Sequence, residues 1–123
     1  MSQIDRGAIR AQRMRRAHQS AAVPATFYWN GTAVAASPYA VKPADAVLWV
    51  STAAAARTIN LPPVRFNAER VLTIVDSTGN AGANNITLDG NGAETINGAA
   101  THVLAVNRAS VTIHCTGTEW LIL

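Results

Sequence analysis

The side chains that could do chemistry are few and are scattered along the C-terminal half of the chain. Four carboxylates lie in or beside predicted turns and two histidines lie on predicted strands: Asp76, Asp89, Glu94, Glu119, His102 and His114. Paired carboxylates serve acid–base chemistry, and a nucleophile beside a base serves covalent catalysis. Neither histidine belongs to a nucleophile motif, and no glycine-rich phosphate loop leads into a helix. The sequence therefore predicts a protein that is not an enzyme.

Two patterns come closest to metal sites. The run Asp89-Gly90-Asn91-Gly92-Ala93-Glu94 places oxygen ligands near each other, but it lacks the third ligand and the distal spacing of an EF-hand. Asp-Gly and Asn-Gly are ordinary turn formers, so we favour a turn. His102, His114 and Cys115 would bind zinc only if the fold or a symmetry axis brought further ligands. Cys115 is better explained as a small buried hydrophobe, and we expect no metal or other cofactor.

The stretch DSTGNAGANNITL, from Asp76 to Leu88, organises the elements that carry these residues. An apolar run, Val71 to Val75, enters it, and the alternating run Asn85 to Leu88 leaves it. Glycine and asparagine between them supply positive φ angles and local hydrogen bonds. The stretch is therefore predicted to be a loop joining two strands. The same alternation of short runs and turns continues to the C-terminus and predicts an all-β domain.

Other strands follow from the same pattern. Residues 46–51 are a buried-strand candidate, and residues 102–107 and 110–115 flank Arg108-Ala109 and predict a hairpin. The chain ends in the apolar run Trp120 to Leu123. An apolar strand is not expected to stay exposed, so this run either closes a sheet or lies at an interface.

Several of these runs together resemble a module of tailed-phage virion proteins. The residues that carry the resemblance are Thr58-Ile59-Asn60-Leu61-Pro62-Pro63, Val71 to Asp76, GNAGANNITL, Glu94-Thr95-Ile96-Asn97-Gly98 and Gly117-Thr118-Glu119-Trp120-Leu121. The resemblance covers about residues 50–123. It implies a short-stranded, homotrimeric β domain that is a sandwich, a barrel or prism-like. It also implies a place in the virion, on the capsid surface or the tail, with assembly in the host cytoplasm.

The composition agrees with association between subunits. Half of the residues are hydrophobic, but many of them are alanine, which buries little area. A thin core of this kind is often completed by a second subunit. The expected core or interface anchors are Phe27, Tyr28, Trp29, Trp49, Trp120, Leu121 and Leu123. One cysteine excludes an intrachain disulfide and fits a reducing compartment, and no apolar run is long enough for a membrane helix.

The positive charge belongs to an N-terminal arm. We expect residues 1–23 to be the arm and residues 24–123 to be the β domain. Residues 1–20 carry a net charge of +4 and the remainder carries −1; the arm cations are Arg6, Arg10, Arg13, Arg15 and Arg16. Three of them would share a helix face, but no apolar stripe matches it, so the arm is either partly helical or extended. It either docks on an acidic surface or is a solvated tail.

These observations lead to three function classes. The first is a trimeric capsid decoration protein that binds the major capsid protein through its arm and stabilises the capsid. The alternative is a short tail-fibre or tailspike adhesin that binds a host glycan, although 123 residues leave little room for a shaft. The third is nucleic-acid binding through the arm, which the lack of a basic stacking platform in the body disfavours.

Overall fold

The computed structural model describes residues 31–123. The predicted arm, residues 1–23, and residues 24–30 at the start of the predicted β domain lie outside the described part. The boundary between arm and domain therefore stays a prediction.

Residues 31–123 form nine short strands. They are β1 (Gly31–Val34), β2 (Tyr39–Ala40), β3 (Val47–Val50), β4 (Arg57–Asn60), β5 (Val71–Asp76), β6 (Ile86–Asp89), β7 (Thr101–Leu104), β8 (Ser110–Cys115) and β9 (Trp120–Ile122). The only helical element in this part of the chain is the 3-10 turn Val64–Phe66, and no helix there is long and apolar enough to cross a membrane. The predicted all-β class is confirmed.

The strands form two open sheets rather than a closed barrel. The five-stranded sheet has the order β1-β3-β5-β8-β9, and the four-stranded sheet has the order β2-β4-β6-β7. The first six strands alternate between the sheets, so each pair of consecutive strands adds one parallel strand to each sheet. Gly31 pairs with Val47 and Val47 with Thr73, while Ile59 pairs with Leu88. The last three strands join their sheets in antiparallel fashion.

The predicted hairpin across Arg108-Ala109 is wrong. Strand β7 pairs with β6 in the four-stranded sheet, whereas β8 pairs with β5 and β9 in the five-stranded sheet. The turn between them, in which Arg108 has a φ of 66°, carries the chain from one sheet to the other. Two alternating runs and a short turn suit either a hairpin or such a crossing, so the local pattern could not separate the two.

The core lies between the two sheets and follows the strand alternation. In β5 and β8 every second residue is buried, so Leu72, Ile74 and Ile113 face inward. Cys115 is fully buried, as expected of a small hydrophobe, and its Sγ lies 3.6 Å from the carbonyl oxygen of Val64. Trp120 is the largest fully buried side chain. The thin, alanine-rich core that the composition suggests is not found: leucine, isoleucine and valine fill most of the core, and Ala81 is the one alanine among the buried hydrophobic residues of the described part.

The edge at β9 is closed by the loop between β6 and β7. The amide of Trp120 donates to the carbonyl of Thr95, and the amide of Asn97 donates to the carbonyl of Trp120. The side-chain oxygen of Asn97 then accepts a hydrogen bond from the amide of Ile122 at 2.9 Å. These bonds occupy backbone groups of β9 that an edge strand would otherwise present to another chain.

Replacing Trp120 with alanine should lower the free energy of unfolding by about 3–5 kcal/mol, because the ring leaves a cavity between the sheets. Urea denaturation followed by circular dichroism measures the change. Val103→Ala is the control, since Val103 is 45% exposed and points outward from β7. Equal losses for the two variants would contradict this account of the core.

Candidate functional site

A buried carboxylate at the end of β5 organises the loops at one end of the sandwich. Asp76 is 1% exposed. Its Oδ1 accepts hydrogen bonds from the Thr52 hydroxyl at 2.7 Å and the Gly79 amide at 3.0 Å. Its Oδ2 accepts from the amides of Ala81 at 3.0 Å and Arg108 at 2.9 Å. Both oxygens are thus satisfied by protein donors, and none of the four bonds requires a ligand.

The donors come from three different loops. Thr52 follows β3, Gly79 and Ala81 follow β5, and Arg108 follows β7. The Thr52 hydroxyl also accepts the amide of Asn80 at 3.0 Å, which ties the first two loops a second time. The side chain of Asp76 therefore fixes three loops in which the chain crosses from one sheet to the other.

The hydrogen bonds control the ionisation of Asp76. Burial on its own raises the pKa of a carboxyl, but here the bonds from Thr52, Arg108, Ala81 and Gly79 stabilise the carboxylate more strongly. The pKa of Asp76 is therefore held far below its ordinary value of 3.8. In the folded protein Asp76 is therefore ionised at neutral and mildly acidic pH.

A second buried carboxylate holds the loop before β3. Asp45 accepts hydrogen bonds from the Thr32 hydroxyl at 2.8 Å, the Tyr39 hydroxyl at 2.7 Å and the Lys42 amide at 2.8 Å. The Arg70 guanidinium donates to the Asp45 carbonyl at 2.7 Å. Because β1 and β3 are parallel to β5, this cluster lies at the end of the five-stranded sheet opposite to Asp76.

The surroundings of Asp45 and Tyr39 lower the pKa of Asp45 and raise the pKa of Tyr39. Burial raises the pKa of Asp45, but the hydrogen bonds from Lys42, Tyr39 and Thr32 outweigh it and the net shift is downward. Burial, followed by the bond to the Asp45 carboxylate, raises the pKa of Tyr39 to about 12. The tyrosine is therefore a neutral hydrogen-bond donor at physiological pH and has a structural role.

The remaining chemistry candidates are not brought together. His114 and Cys115 are consecutive on β8 and so point to opposite faces, with His114 Nε2 lying 3.0 Å from Glu69 Oε1. Glu94 accepts a hydrogen bond from the Val64 amide, and Glu119 accepts from Thr95 and Gly98. Within residues 31–123, no three histidine, cysteine or carboxylate side chains form a metal-binding group.

The outer face of the five-stranded sheet is exposed and apolar. Alternation along the strands places on it Ala33, Val47, Trp49, Val71, Thr73, Val75, Ser110, Thr112, His114, Leu121 and Leu123. We call this set the apolar face. Trp49 is 48% exposed, Val71 47%, Leu121 38% and Leu123 74%. The outward residues of β8 are polar, and the apolar ones lie on the strands to either side of it. Exposed apolar side chains grouped on one side of a domain are typical of a docking site.

The predicted anchors separate into different environments. Trp120 lies in the core, whereas Trp49, Leu121 and Leu123 lie on the apolar face. The arm arginines at positions 6, 10, 13, 15 and 16 and the aromatic run Phe27, Tyr28 and Trp29 lie outside the described residues. Their assignment as capsid-binding and anchoring residues stays a prediction.

Sequence reasoning missed the organising role of two residues. The sequence predicts that Asp76 begins a loop, but it does not predict that Asp76 or Asp45 is buried. The signal available was an aspartate adjoining an apolar strand, as in Val71 to Asp76. Its partners Thr52 and Arg108 are 24 and 32 residues away in sequence, so only the fold shows that they meet.

The chain has no recognisable relatives in two comparisons. No family model matches it, and no curated protein sequence is significantly similar to it. The function must therefore be argued from the residues and the fold.

Asp76→Asn should lower the free energy of unfolding at pH 7 by about 2–4 kcal/mol. In either orientation the amide NH2 would face at least one backbone N–H that now donates to the carboxylate. Asp89→Asn is the control, because Asp89 faces outward at the end of β6 and no hydrogen bond reaches its carboxylate within residues 31–123; it should change stability by less than about 0.5 kcal/mol.

The gap between the parent and Asp76→Asn should depend on pH. Because the folded pKa of Asp76 is depressed, its stabilisation is fully present above the unfolded value near 3.8 and is lost as pH falls towards the folded pKa. Urea titrations at pH 7 and pH 3 measure the gap, which should narrow at pH 3. A gap that is constant or wider at pH 3 would contradict the charge-assisted role of Asp76.

Proposed function

We propose that this protein is a structural component of a tailed-phage virion, a homotrimeric decoration protein that binds the assembled capsid through its N-terminal arm. The observation that carries the proposal is that the positive charge is concentrated near the N-terminus and not in the β domain. The clustered cations lie in residues 1–20, while residues 31–123 hold five basic and six acidic side chains. A nearly neutral body with a strongly basic tail suits a module that is held on an acidic surface by the tail.

The construction of the body supports a structural role. Residues 31–123 enclose no ligand-sized cavity. Their two most buried carboxylates, those of Asp45 and Asp76, are engaged by protein donors. Groups that bind a substrate usually line a concave pocket and keep some hydrogen-bonding capacity free. Here that capacity is used to fix loops, as expected of a rigid building block.

The resemblance of residues 50–123 to tailed-phage virion modules supports the virion assignment. It does not separate the capsid from the tail. A tail-fibre or tailspike module that binds a host glycan is the second candidate, and the exposed rings of Trp49 and Phe66 favour it because aromatic side chains combine apolar area with a defined flat surface. The position of the protein in an electron-microscopy map of the particle separates the two. Hundreds of copies on the shell support decoration, and a few copies at the tail overturn it.

Replacing all five arm arginines with glutamine should weaken capsid binding substantially and remove most of its dependence on salt. Exposed ion pairs contribute only ~0.2–1 kcal/mol each, but five of them act together, and screening acts only on charges that are present. Binding of purified protein to undecorated capsids, measured at low and high salt, gives the result. Unchanged binding at low salt would show that the arginines are a solvated surface.

The protein should sediment as a homotrimer at micromolar concentration. The exposed apolar face favours association, since burying apolar area is the main favourable term in assembly. Sedimentation equilibrium of the full chain measures the mass. A monomer mass at this concentration would contradict the trimer, and a dimer mass would correct its symmetry.

A further inference from the structure

We infer that the apolar face is the surface through which copies of this chain pack against one another. The inference rests on the proposed self-association and adds to it the place of contact. It is carried by the chemistry of the face, by its contrast with the opposite side of the sandwich and by its dimensions.

None of the residues that form the apolar face has a charged side chain, apart from the ionisable imidazole of His114. The carboxylate of Glu69 reaches the margin of the face, where its Oε1 lies 3.0 Å from His114 Nε2. A surface without charges does not repel a copy of itself. A partner chosen by charge would require complementary charges, and this face offers none. The neutral chemistry therefore favours the chain's own second copy as the occupant.

The polar groups at the centre of the face are already paired. The hydroxyls of Thr73 and Thr112 face each other across β5 and β8 with their Oγ1 atoms 2.9 Å apart. His114 is hydrogen-bonded to Glu69 at the margin. Burying a polar group is costly chiefly when it loses its partner. Covering this face would leave the central hydroxyl pair intact, so its desolvation costs little.

The opposite outer surface of the sandwich has a different character. The outward positions of the four-stranded sheet are mostly polar: Ala40, Thr58, Asn60, Thr87, Asp89, Thr101 and Val103. Antiparallel and mixed sheets commonly keep one face in water and cover the other. In this protein both sheets cover the shared core, and only the five-stranded sheet has a second apolar side.

The ring of Trp49 extends the apolar face over the edge strand β1. A methyl group on Gly31 would lie 2.9 Å from Cε2 and Cζ2 of the Trp49 ring, so the ring lies over the glycine of β1. The missing side chain lets an indole spread across two strands. Tryptophan on a flat, partly desolvated surface is the residue type most often found to dominate binding energy.

The dimensions suit packing around a symmetry axis. Four of the five strands have four to six residues and are ~13–20 Å long, and five strands are ~24 Å wide, which gives roughly 300–500 Å² in projection. If three such faces surround a threefold axis, with their strands perpendicular to that axis, each face lies roughly 4–6 Å from the axis. This matches half of the ~10 Å between packed sheets. The area is below the ~800 Å² per partner of a standard interface, so the association should be reversible.

Two valines provide a matched test. Val71 on the apolar face is 47% exposed, and Val103 on the opposite outer surface is 45% exposed. Val71→Lys should lower the association constant of the full chain at least tenfold, since it places a charge inside the contact. Val103→Lys should change it less than twofold. Sedimentation velocity from 1 to ~100 µM measures both, with urea midpoints confirming that each variant is folded.

Trp49→Ala is a second variant of the apolar face and tests the proposal even if Val71→Lys does not fold. Trp49 is about half exposed, so its truncation should preserve the fold while weakening association at least tenfold. If both variants on the apolar face associate as tightly as Val103→Lys while the parent is a trimer, the face assignment is wrong and the trimer stands. A parent that is monomeric at ~100 µM overturns both. A dimer disrupted only by the two apolar-face variants supports the face and corrects the trimer.

Discussion

The hydrogen-bonded carboxylate of Asp76 holds together the loops at one end of the described fold. It accepts four bonds from three loops, each of which carries the chain between the two sheets. Without a charge at this point, the backbone amides of Gly79, Ala81 and Arg108 would need other partners beside a side chain that is 1% exposed. A small domain gains rigidity from such a centre, because the loops hold the sheets in register. Asp45 does the same for β1 and β2 at the opposite end.

The alternation of strands between two sheets explains why the loops need this control. Each connection among the first six strands leaves one sheet and enters the other, so no tight hairpin fixes the register there. Parallel pairing of β1, β3 and β5 must then be set by the core side chains and by the loop anchors. The same arrangement leaves each sheet with an outer side. The outer side of the four-stranded sheet is mostly polar and that of the five-stranded sheet is mostly apolar, so the two outer surfaces of the domain differ in chemistry.

The sequence predicted the local elements better than their partners. Within the stretch from Asp76 to Leu88, a loop that joins two strands is confirmed at residues 77–85, and the strand around Leu48 is also confirmed, because glycine, asparagine and alternation act within a few residues. The hairpin across Arg108 failed because pairing is decided by distant residues in two sheets. Burial of Asp76 was equally hidden, since its donors at positions 52 and 108 are far away in sequence. For the candidate surface, the apolar character of Trp49 and Leu121 was visible, but not that both share one face while Trp120 lies inside.

Amide hydrogen exchange tests the organising role of Asp76 most directly. Loop amides normally exchange fast, whereas amides bonded to a buried, ionised carboxylate should open only when the domain opens. In the native protein at pH 7, the amides of Gly79, Ala81 and Arg108 should be protected to the same degree as those of the central strands β5 and β8. Exchange at the rate of exposed loop amides, while β5 and β8 stay protected, would contradict the account.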